Sequence, residues 1–188
     1  ERKGAARAML DRRQRAKLLE VARESVVAAA KSMPYSPPGS DDPGLQRPAA
    51  AFVTLRRGGE LRGCIGVVEA REPLIVVVAA MARAAATEDY RFRPVHLTEV
   101  NQLTIEVSVL TPPERVEDAR SIRIGTDGLI IEEGGRRGLL LPQVPVEWGW
   151  TREQYLDQVC LKAGLPKGWW RKGGELYRFQ AEVFSEAE

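Results

Sequence analysis

Apolar and polar residues follow two periods along this chain, one typical of helices and the other of strands. Apolar residues recur at helical spacing over 16–29, and 74–86 is apolar nearly all round, which predicts a buried helix. A third helix is predicted over 151–161. The first and third helices begin with capping-box patterns, in which Asp11 or Thr151 is followed three residues later by glutamine.

Strand-type alternation fills most of the remaining chain. The predicted strands cover 51–56, 60–69, 103–109 and 177–183, with a further β-ribbon over 122–143. The glycines Gly58 and Gly59 predict a hairpin between the first two strands. Helices and strands alternate too irregularly for a doubly wound sheet. We therefore predict an α+β fold, with a mostly antiparallel sheet flanked by helices.

The segment 32–48 is predicted to be a proline-rich loop. It holds five prolines and two glycines, and proline removes backbone donors and bars regular structure. Long loops of this kind in compact domains are often functional or mobile. Tyr35 is the only aromatic residue in the segment, and two roles stay open for it: anchoring the loop or contacting a ligand.

Length and composition limit the classes of function. The 188 residues suit a single domain, 1–188, and 44% hydrophobic with 29% charged residues is ordinary globular composition. A net charge of +2 does not indicate a dedicated nucleic-acid domain. The two cysteines lie far apart and form no disulfide framework, and the longest apolar run, 74–82, is far shorter than the ~20 residues of a membrane span. We expect a cytoplasmic protein with no membrane partner.

The hexapeptide Leu61–Gly66 is the strongest candidate for chemistry. Strand alternation predicts Leu61 and Ile65 in the core, with Arg62 and Cys64 on the opposite face. A fixed positive charge near a thiol generally lowers its pKa and increases the fraction of nucleophilic thiolate. The alternative is structural, because free cysteines are often small buried hydrophobes and arginines often form ion pairs.

Other chemical groups are few. A cysteine nucleophile usually needs a base, and His96 is the only histidine, so a Cys64–His96 dyad is one alternative. Cys160 lies on the apolar face of the third predicted helix and is expected in the core. Asp89 with Glu106 are candidates for acid–base work. One histidine and two distant cysteines do not predict a metal site, and no cofactor is expected.

Four tryptophans and several basic residues cluster late in the chain, and two interpretations stay open. Aromatic and basic side chains together can stack bases and hold phosphates. We favour the structural interpretation, in which Trp148 and Trp150 close over the core while Trp169 and Trp170 cap the third helix.

Several motifs resemble one family along nearly the whole chain. Leu61-Arg62-Gly63-Cys64-Ile65-Gly66 resembles the signature hexapeptide of the AMMECR domain family, whose prokaryotic members are called protein A of the AmmeMemoRadiSam system. Further matching motifs are Phe52-Val53-Thr54-Leu55, Arg91-Phe92, the run from Ile105 to Pro112, Gly128-Leu129-Ile130-Ile131, the run from Gly138 to Val144, the run from Cys160 to Leu165, and Tyr177-Arg178-Phe179. Tyr90 stands where the family usually has proline, and His96 falls where the motif specifies no residue.

The resemblance implies two α+β subdomains, one of them smaller, with the hexapeptide close to a cleft between them. It implies no established reaction. It suggests RNA as a partner through RNA modification, and Memo-type and radical S-adenosylmethionine proteins through gene association. Fold alone does not fix function.

Two hypotheses of different classes follow. In the first, the protein is an enzyme or enzyme component, in which Arg62 holds an anionic group and Cys64 reacts or binds. The residues expected to orient the substrate are Asp89, Arg91, Glu106 and Gln143. In the second, it is a non-catalytic scaffold module that binds protein or nucleic acid through the cleft and the loop 32–48.

Overall fold

A computed structural model describes residues 9–188, which fold into two compact units. The first unit runs to Leu110 and includes Glu182–Glu188, and the second is Thr111–Ala181. Both contain helices and antiparallel strand pairs, so the predicted α+β class is confirmed. No helix within 9–188 is both long and apolar enough to cross a membrane.

The first unit is built on a four-stranded sheet. Its strands are β1 (Ala51–Arg57), β2 (Glu60–Val67), β3 (Leu103–Leu110) and β8 (Ala181–Ser185), in the order β2-β1-β3-β8. The helices α1 (Arg12–Ala30) and α3 (Leu74–Thr87) pack against each other, and α3 also packs on β1 and β2. The inward residues of β1 and β3, including Val53, Leu55, Ile105 and Val107, are fully buried there.

The predicted helices and hairpin are present in this unit. Asp11 and Gln14 cap α1 reciprocally, as their spacing predicts. The apolar stripe of α1 begins differently from the prediction, because Leu18 is buried and Ala16 is exposed. Gly58 and Gly59 both have positive φ in the β1–β2 turn, which suits glycine.

The expected alternation of the hexapeptide is wrong at Leu61. A β-bulge shifts the register between Leu55 and Arg56, so that Leu61 pairs with Arg56 and Arg62 has no cross-strand partner. Leu61 is 37% exposed rather than in the core. Ile65, beyond the bulge, is half-buried and packs against the core as predicted.

The proline-rich segment 32–48 is irregular apart from α2 (Pro43–Gln46), a single turn capped by Asp42. Tyr35 anchors it, because its ring packs against the core and its hydroxyl donates to Glu24 at 2.6 Å. Burial is the main cause that raises the pKa of Tyr35, and the Glu24 carboxylate adds to it. Of its two predicted roles, the structure supports anchoring.

The second unit has its own four-stranded sheet. Its strands are β4 (Glu114–Arg115), β5 (Gly128–Glu133), β6 (Arg136–Leu140) and β7 (Glu175–Phe179), in the order β4-β7-β5-β6. The helix α5 (Arg152–Lys162) packs on β5 and β6, after the short helix α4 (Val144–Trp148). The separate core of this unit contains Leu129, Ile131, Tyr155, Leu156 and Cys160, so the prediction for Cys160 is confirmed.

The single closing strand predicted over 177–183 is wrong, because the chain forms two strands there. β7 ends at Phe179 and pairs with β5, and β8 begins at Ala181 in the other sheet. Alternation restarts after the break, so Val183 is 49% exposed while Glu182 and Phe184 are buried. In the sequence, apolar residues keep an unbroken two-residue period across 177–183, and this pattern conceals the change of sheet.

Candidate functional site

Cys64 lies half-buried in β2 and belongs to a row of three side chains across the first sheet. The register pairs Thr54 of β1 with Cys64 on one side and with Glu106 of β3 on the other. Directly paired residues share one face of a sheet. The Thr54 hydroxyl donates to the Cys64 sulfur at 3.2 Å, so a buried hydroxyl contacts the thiol.

The backbone of Cys64 explains why these two side chains meet. The Cys64 N–H donates to Asp89 Oδ2 at 3.0 Å, away from β1. Cys64 and Thr54 therefore form a non-hydrogen-bonded pair of the antiparallel ladder, in which Cα atoms approach to about 4.5 Å. β2 is an edge strand, so Asp89 takes a position that a neighbouring strand would otherwise fill.

Asp89 is a saturated carboxylate that holds Arg91 in place. It is buried, and its oxygens accept from the Cys64 N–H and from the N–H, Nε and Nη2 of Arg91. The Arg91 side-chain hydrogen bonds lower the pKa of Asp89 far below its usual range, despite burial, and the backbone donors add to this. Asp89 therefore positions its neighbours and has little acceptor capacity left for a ligand.

Arg91 is held near Cys64 by the carboxylate that also accepts from the Cys64 N–H. Hydrogen bonds to the Asp89 carboxylate are the main cause that raises the pKa of Arg91. The Arg91 side chain is 46% exposed although two of its nitrogens are bound to Asp89. Its remaining N–H groups are available to an anion.

Arg62 is joined to the site through an aromatic ring. Its Nε donates to Glu99 at 2.7 Å, and both side chains are largely buried. The guanidinium carbons of Arg62 and Arg91 lie 5.9 and 5.5 Å from the centroid of the Phe92 ring. Arg62 Nη1 is buried and has no hydrogen-bond partner among the described residues. Arg62 is thus an ion-paired residue with a buried donor nitrogen that is unused.

The loop that carries Glu99 also fixes His96. His96 Nδ1 accepts from the Thr98 N–H at 3.2 Å and caps the 3₁₀ helix Leu97–Gln102. Burial acts to raise the pKa of Glu99, but hydrogen bonds from Arg62 and the His96 N–H outweigh it and lower the pKa. No hydrogen bond joins His96 to Cys64 in the described part of the chain, so the dyad gains no support.

The six predicted site residues are not all brought together. Cys64, Asp89 and Arg91 form one connected cluster, and Arg62 joins it through Phe92. Glu106 and Gln143 do not join this cluster. Glu106 lies next to Thr54 in the cross-strand row, and its carboxylate is 4.0 Å from Arg56 Nη2. Gln143 is exposed at the start of α4 in the second unit.

Three further residues of the site were missed by the sequence analysis. Thr54 donates to the thiol, Glu99 pairs with Arg62, and the Phe92 ring lies near both arginines. Extending the predicted hairpin residue by residue from Arg57 and Glu60 places Thr54 opposite Gly63, so the β-bulge concealed the pairing of Thr54 with Cys64. Nothing in the spacing relates Glu99 to Arg62, because they lie 37 residues apart.

Grouped metal ligands are absent from the part of the chain that the structure describes. Within residues 9–188, no three histidine, cysteine, aspartate or glutamate side chains are grouped to hold a metal ion. The cluster around Cys64 offers a thiol, a hydroxyl, a saturated carboxylate and two guanidinium groups. This set suits thiol chemistry on an anionic ligand.

The tryptophan expectations are confirmed in part. Trp169 and Trp170 pack on the core of the second unit, and Trp170 Nε1 donates to Asp157 of α5 at 2.9 Å. Trp148 instead stacks on Trp150 with ring centroids 6.2 Å apart and is 71% exposed, so the expectation that it closes over the core is wrong. It follows Val146, another exposed apolar residue, in α4.

Comparison with known proteins gives one consistent relationship. A model of the AMMECR1 family matches residues 19–184. Protein MJ0810 from Methanocaldococcus jannaschii is 54% identical across 69% of this chain and 68% of its own length. The crystal structure of protein PH0010 from Pyrococcus horikoshii has a TM-score of 0.73 and 43% identity, over 90% of this chain and 89% of that one.

Proposed function

The chain belongs to the AMMECR1 family, and we propose that it is an enzyme or enzyme component. In this proposal Cys64 is the group that reacts or binds a ligand. The observation that carries this proposal is the environment of the thiol. Its sulfur accepts from the Thr54 hydroxyl, and the adjacent backbone N–H is held by Asp89, which also holds Arg91. A thiolate is stabilised by hydroxyl donors and by nearby cations.

The substrate of this site carries an anionic group. Arg91 has unused N–H groups on a side chain that is 46% exposed, and Arg62 places a second guanidinium near the same Phe92 ring. Arginine binds phosphate and carboxylate groups through its planar fork. RNA phosphates and small phosphorylated or carboxylated molecules share this chemistry, and both are candidate substrates.

The partners follow from the family. We expect the chain to act with Memo-type and radical S-adenosylmethionine proteins of the AmmeMemoRadiSam system. The cluster around Cys64 is the part of the first unit that we expect to take part in their reaction. Co-purification of the chain with each protein, with and without Cys64→Ala, tests whether the cluster takes part in that association.

The experiment that tests the proposed site compares two alkylating reagents. Iodoacetate is anionic and iodoacetamide is neutral, so the ratio of their rates at Cys64 reports the local cationic field. We expect Arg91→Gln to lower this ratio about fivefold, because one nearby cation contributes about 1 kcal/mol in a partly exposed site. Peptide mapping separates Cys64 from Cys160, which is buried and serves as the unreactive internal control.

Arg71→Gln is the matched control, because Arg71 is an exposed arginine of the same unit that pairs only with Glu69. This variant is expected to keep the wild-type ratio. A Cys64 that reacts no faster than the thiol of an unfolded peptide, or a ratio unchanged in Arg91→Gln, contradicts the proposal.

A second candidate is a binding module without catalysis, and the exposed aromatic stack of Trp148 on Trp150 favours it. Stacked aromatics bind bases or apolar partner surfaces. Gel-shift titration with an RNA oligonucleotide and pull-down of the Memo-type protein distinguish the two functions. Loss of binding in Trp148→Ala with unchanged binding in Arg62→Ala favours the module, and the reverse favours the thiol site.

A further inference from the structure

The outer edge of β2 is open beyond Cys64. In an antiparallel strand every second residue directs its N–H and C=O to the same side. Cys64 directs its N–H outward to Asp89, so Gly66 also directs its N–H and C=O away from β1. Outside the β1–β2 ladder, no hydrogen bond among residues 9–188 involves Gly66. An unpaired edge of this kind is a template for another strand.

A groove of about 630 Å³ borders this open edge. Val68 is 37% exposed and provides apolar surface, and half-buried Val67 lies beside it in the groove. The segment that forms the far wall is held in place, because Ala49 N–H donates to the Glu72 carbonyl at 3.2 Å and Leu74 N–H to the Arg47 carbonyl at 3.0 Å. The groove is therefore bounded by fixed backbone.

The rim of the groove has an excess of negative charge. Glu69, Arg71 and Glu72 line it, and Arg71 is already paired with Glu69. Glu72 is exposed and forms no ion pair within the described residues. A ligand that places a cation beside Glu72 and an aliphatic side chain against the valines complements the groove in charge and in polarity.

We propose that this edge binds an extended basic peptide of a partner protein, which adds to β2 at Gly66 as a short fifth strand. The main chain of the peptide pairs with the free N–H and C=O of Gly66. The peptide side chains opposite Gly66 and Val68 then contact Val68, because directly paired residues share one face of a sheet, and a lysine or arginine beside them pairs with Glu72. Strand addition of this kind takes its affinity from the backbone and its specificity from the side-chain groove.

A second copy of the chain is a poorer fit for the same edge. Asp89 occupies the outward N–H of Cys64, so edge-to-edge pairing of two copies stops there and involves only the few residues from Gly66 onward. A stable dimer interface usually buries at least about 1,200 Å² in total. A short peptide needs only this free stretch.

Titration of the isotope-labelled protein with acetyl-Lys-Val-Lys-Val-Lys-amide tests the proposal. We expect saturable NMR shifts of the Gly66, Val68 and Glu69 amides. The same peptide with its valine amides N-methylated lacks the paired donors, and the peptide with glutamate for lysine has the wrong charge. Each is expected to bind at least about tenfold more weakly.

Glu72→Lys is expected to reverse the preference between the basic and acidic peptides. Glu60→Lys, at the far end of β2 from Gly66 and also exposed, is expected to leave it unchanged. The proposal is overturned if no saturable shifts occur up to about 2 mM peptide, because a dissociation constant above that concentration is too weak for specific binding. It is also overturned if the N-methylated peptide binds equally well, or if the same amides shift with protein concentration alone, which indicates a second copy.

Discussion

Asp89 accepts a hydrogen bond from the backbone N–H of Cys64 at 3.0 Å, so a side-chain carboxylate closes the edge strand at the residue that carries the thiol. The same carboxylate binds Arg91 through two side-chain nitrogens. One residue therefore fixes the Cys64 backbone and the cation beside it. The consequences for stability and for reactivity can be separated by experiment.

Asp89→Asn is expected to lower the free energy of unfolding by about 2 kcal/mol, because the amide loses the charged hydrogen bonds to Arg91 at a buried position. Urea denaturation at pH 7 measures the change. Asp41→Asn is the matched control, since Asp41 is exposed, and we expect a change within about 0.5 kcal/mol. Equal effects of the two substitutions contradict the structural role of Asp89.

The pH dependence of stability has a defined sign at Asp89. Its pKa is lowered in the folded state, mainly by Arg91, whereas an unfolded aspartate titrates near about 3.9. The stabilisation is therefore complete well above pH 4 and is lost as the pH falls below about 4 toward the folded pKa. Denaturation measured between about pH 6 and pH 2.5 is expected to show a shallower decline for Asp89→Asn than for wild type. Parallel curves contradict this assignment.

Gly63→Ala is expected to destabilise the first unit by about 1–3 kcal/mol, because of overpacking. A Cβ at position 63 lies 2.2 Å from the backbone oxygen of Ala85 in α3, and backbone has little freedom to yield. Gly39→Ala is the matched control, because nothing lies within 4 Å of its Cβ position. Thermal unfolding of both variants tests the prediction, which fails if the two melt alike.

Arg23→Gln is expected to cost about 1–3 kcal/mol and to increase amide exchange near the C-terminus. Arg23 of α1 donates to the Val100 and Leu103 carbonyls and to both carboxylate oxygens of Glu186. Urea denaturation and hydrogen exchange measure the two effects. Lys17→Gln, which removes an exposed ion pair of the same helix, is expected to change stability by less than about 1 kcal/mol. Unchanged exchange of β8 amides in Arg23→Gln is the contrary result.

The elements with strong local signals were predicted well. The caps at Asp11 and Thr151 lie where their spacing indicates, and the turn at Gly58 and Gly59 joins the expected hairpin. These features depend on residues within four positions of one another, so a linear pattern contains all the required information. The break at Gln180 was missed because the apolar residues of the sequence keep a two-residue period through it, while in the structure the strand partner and the buried face both change there.

The candidate site was predicted by residue type more than by arrangement. The hexapeptide directed attention to Cys64 and Arg62, and the structure adds that Arg91 is bound by Asp89, the carboxylate that also accepts from the Cys64 N–H. Arg62 pairs with Glu99 instead. The bulge beside Leu61 causes part of this difference, since a two-residue period does not hold across an extra residue.

Periodicity, capping residues and glycine turns were sufficient to specify the helices, the hairpin and the α+β class, because each depends on the conformational preferences of neighbouring residues. The contacts of the thiol with Thr54, and of Asp89 with Cys64 and Arg91, were established only by folding. A strand edge exposes backbone groups without specifying which distant side chain will satisfy them, and that choice depends on how the loop after α3 packs against β2. The hexapeptide therefore identifies the thiol, and the packed loop determines its chemical surroundings.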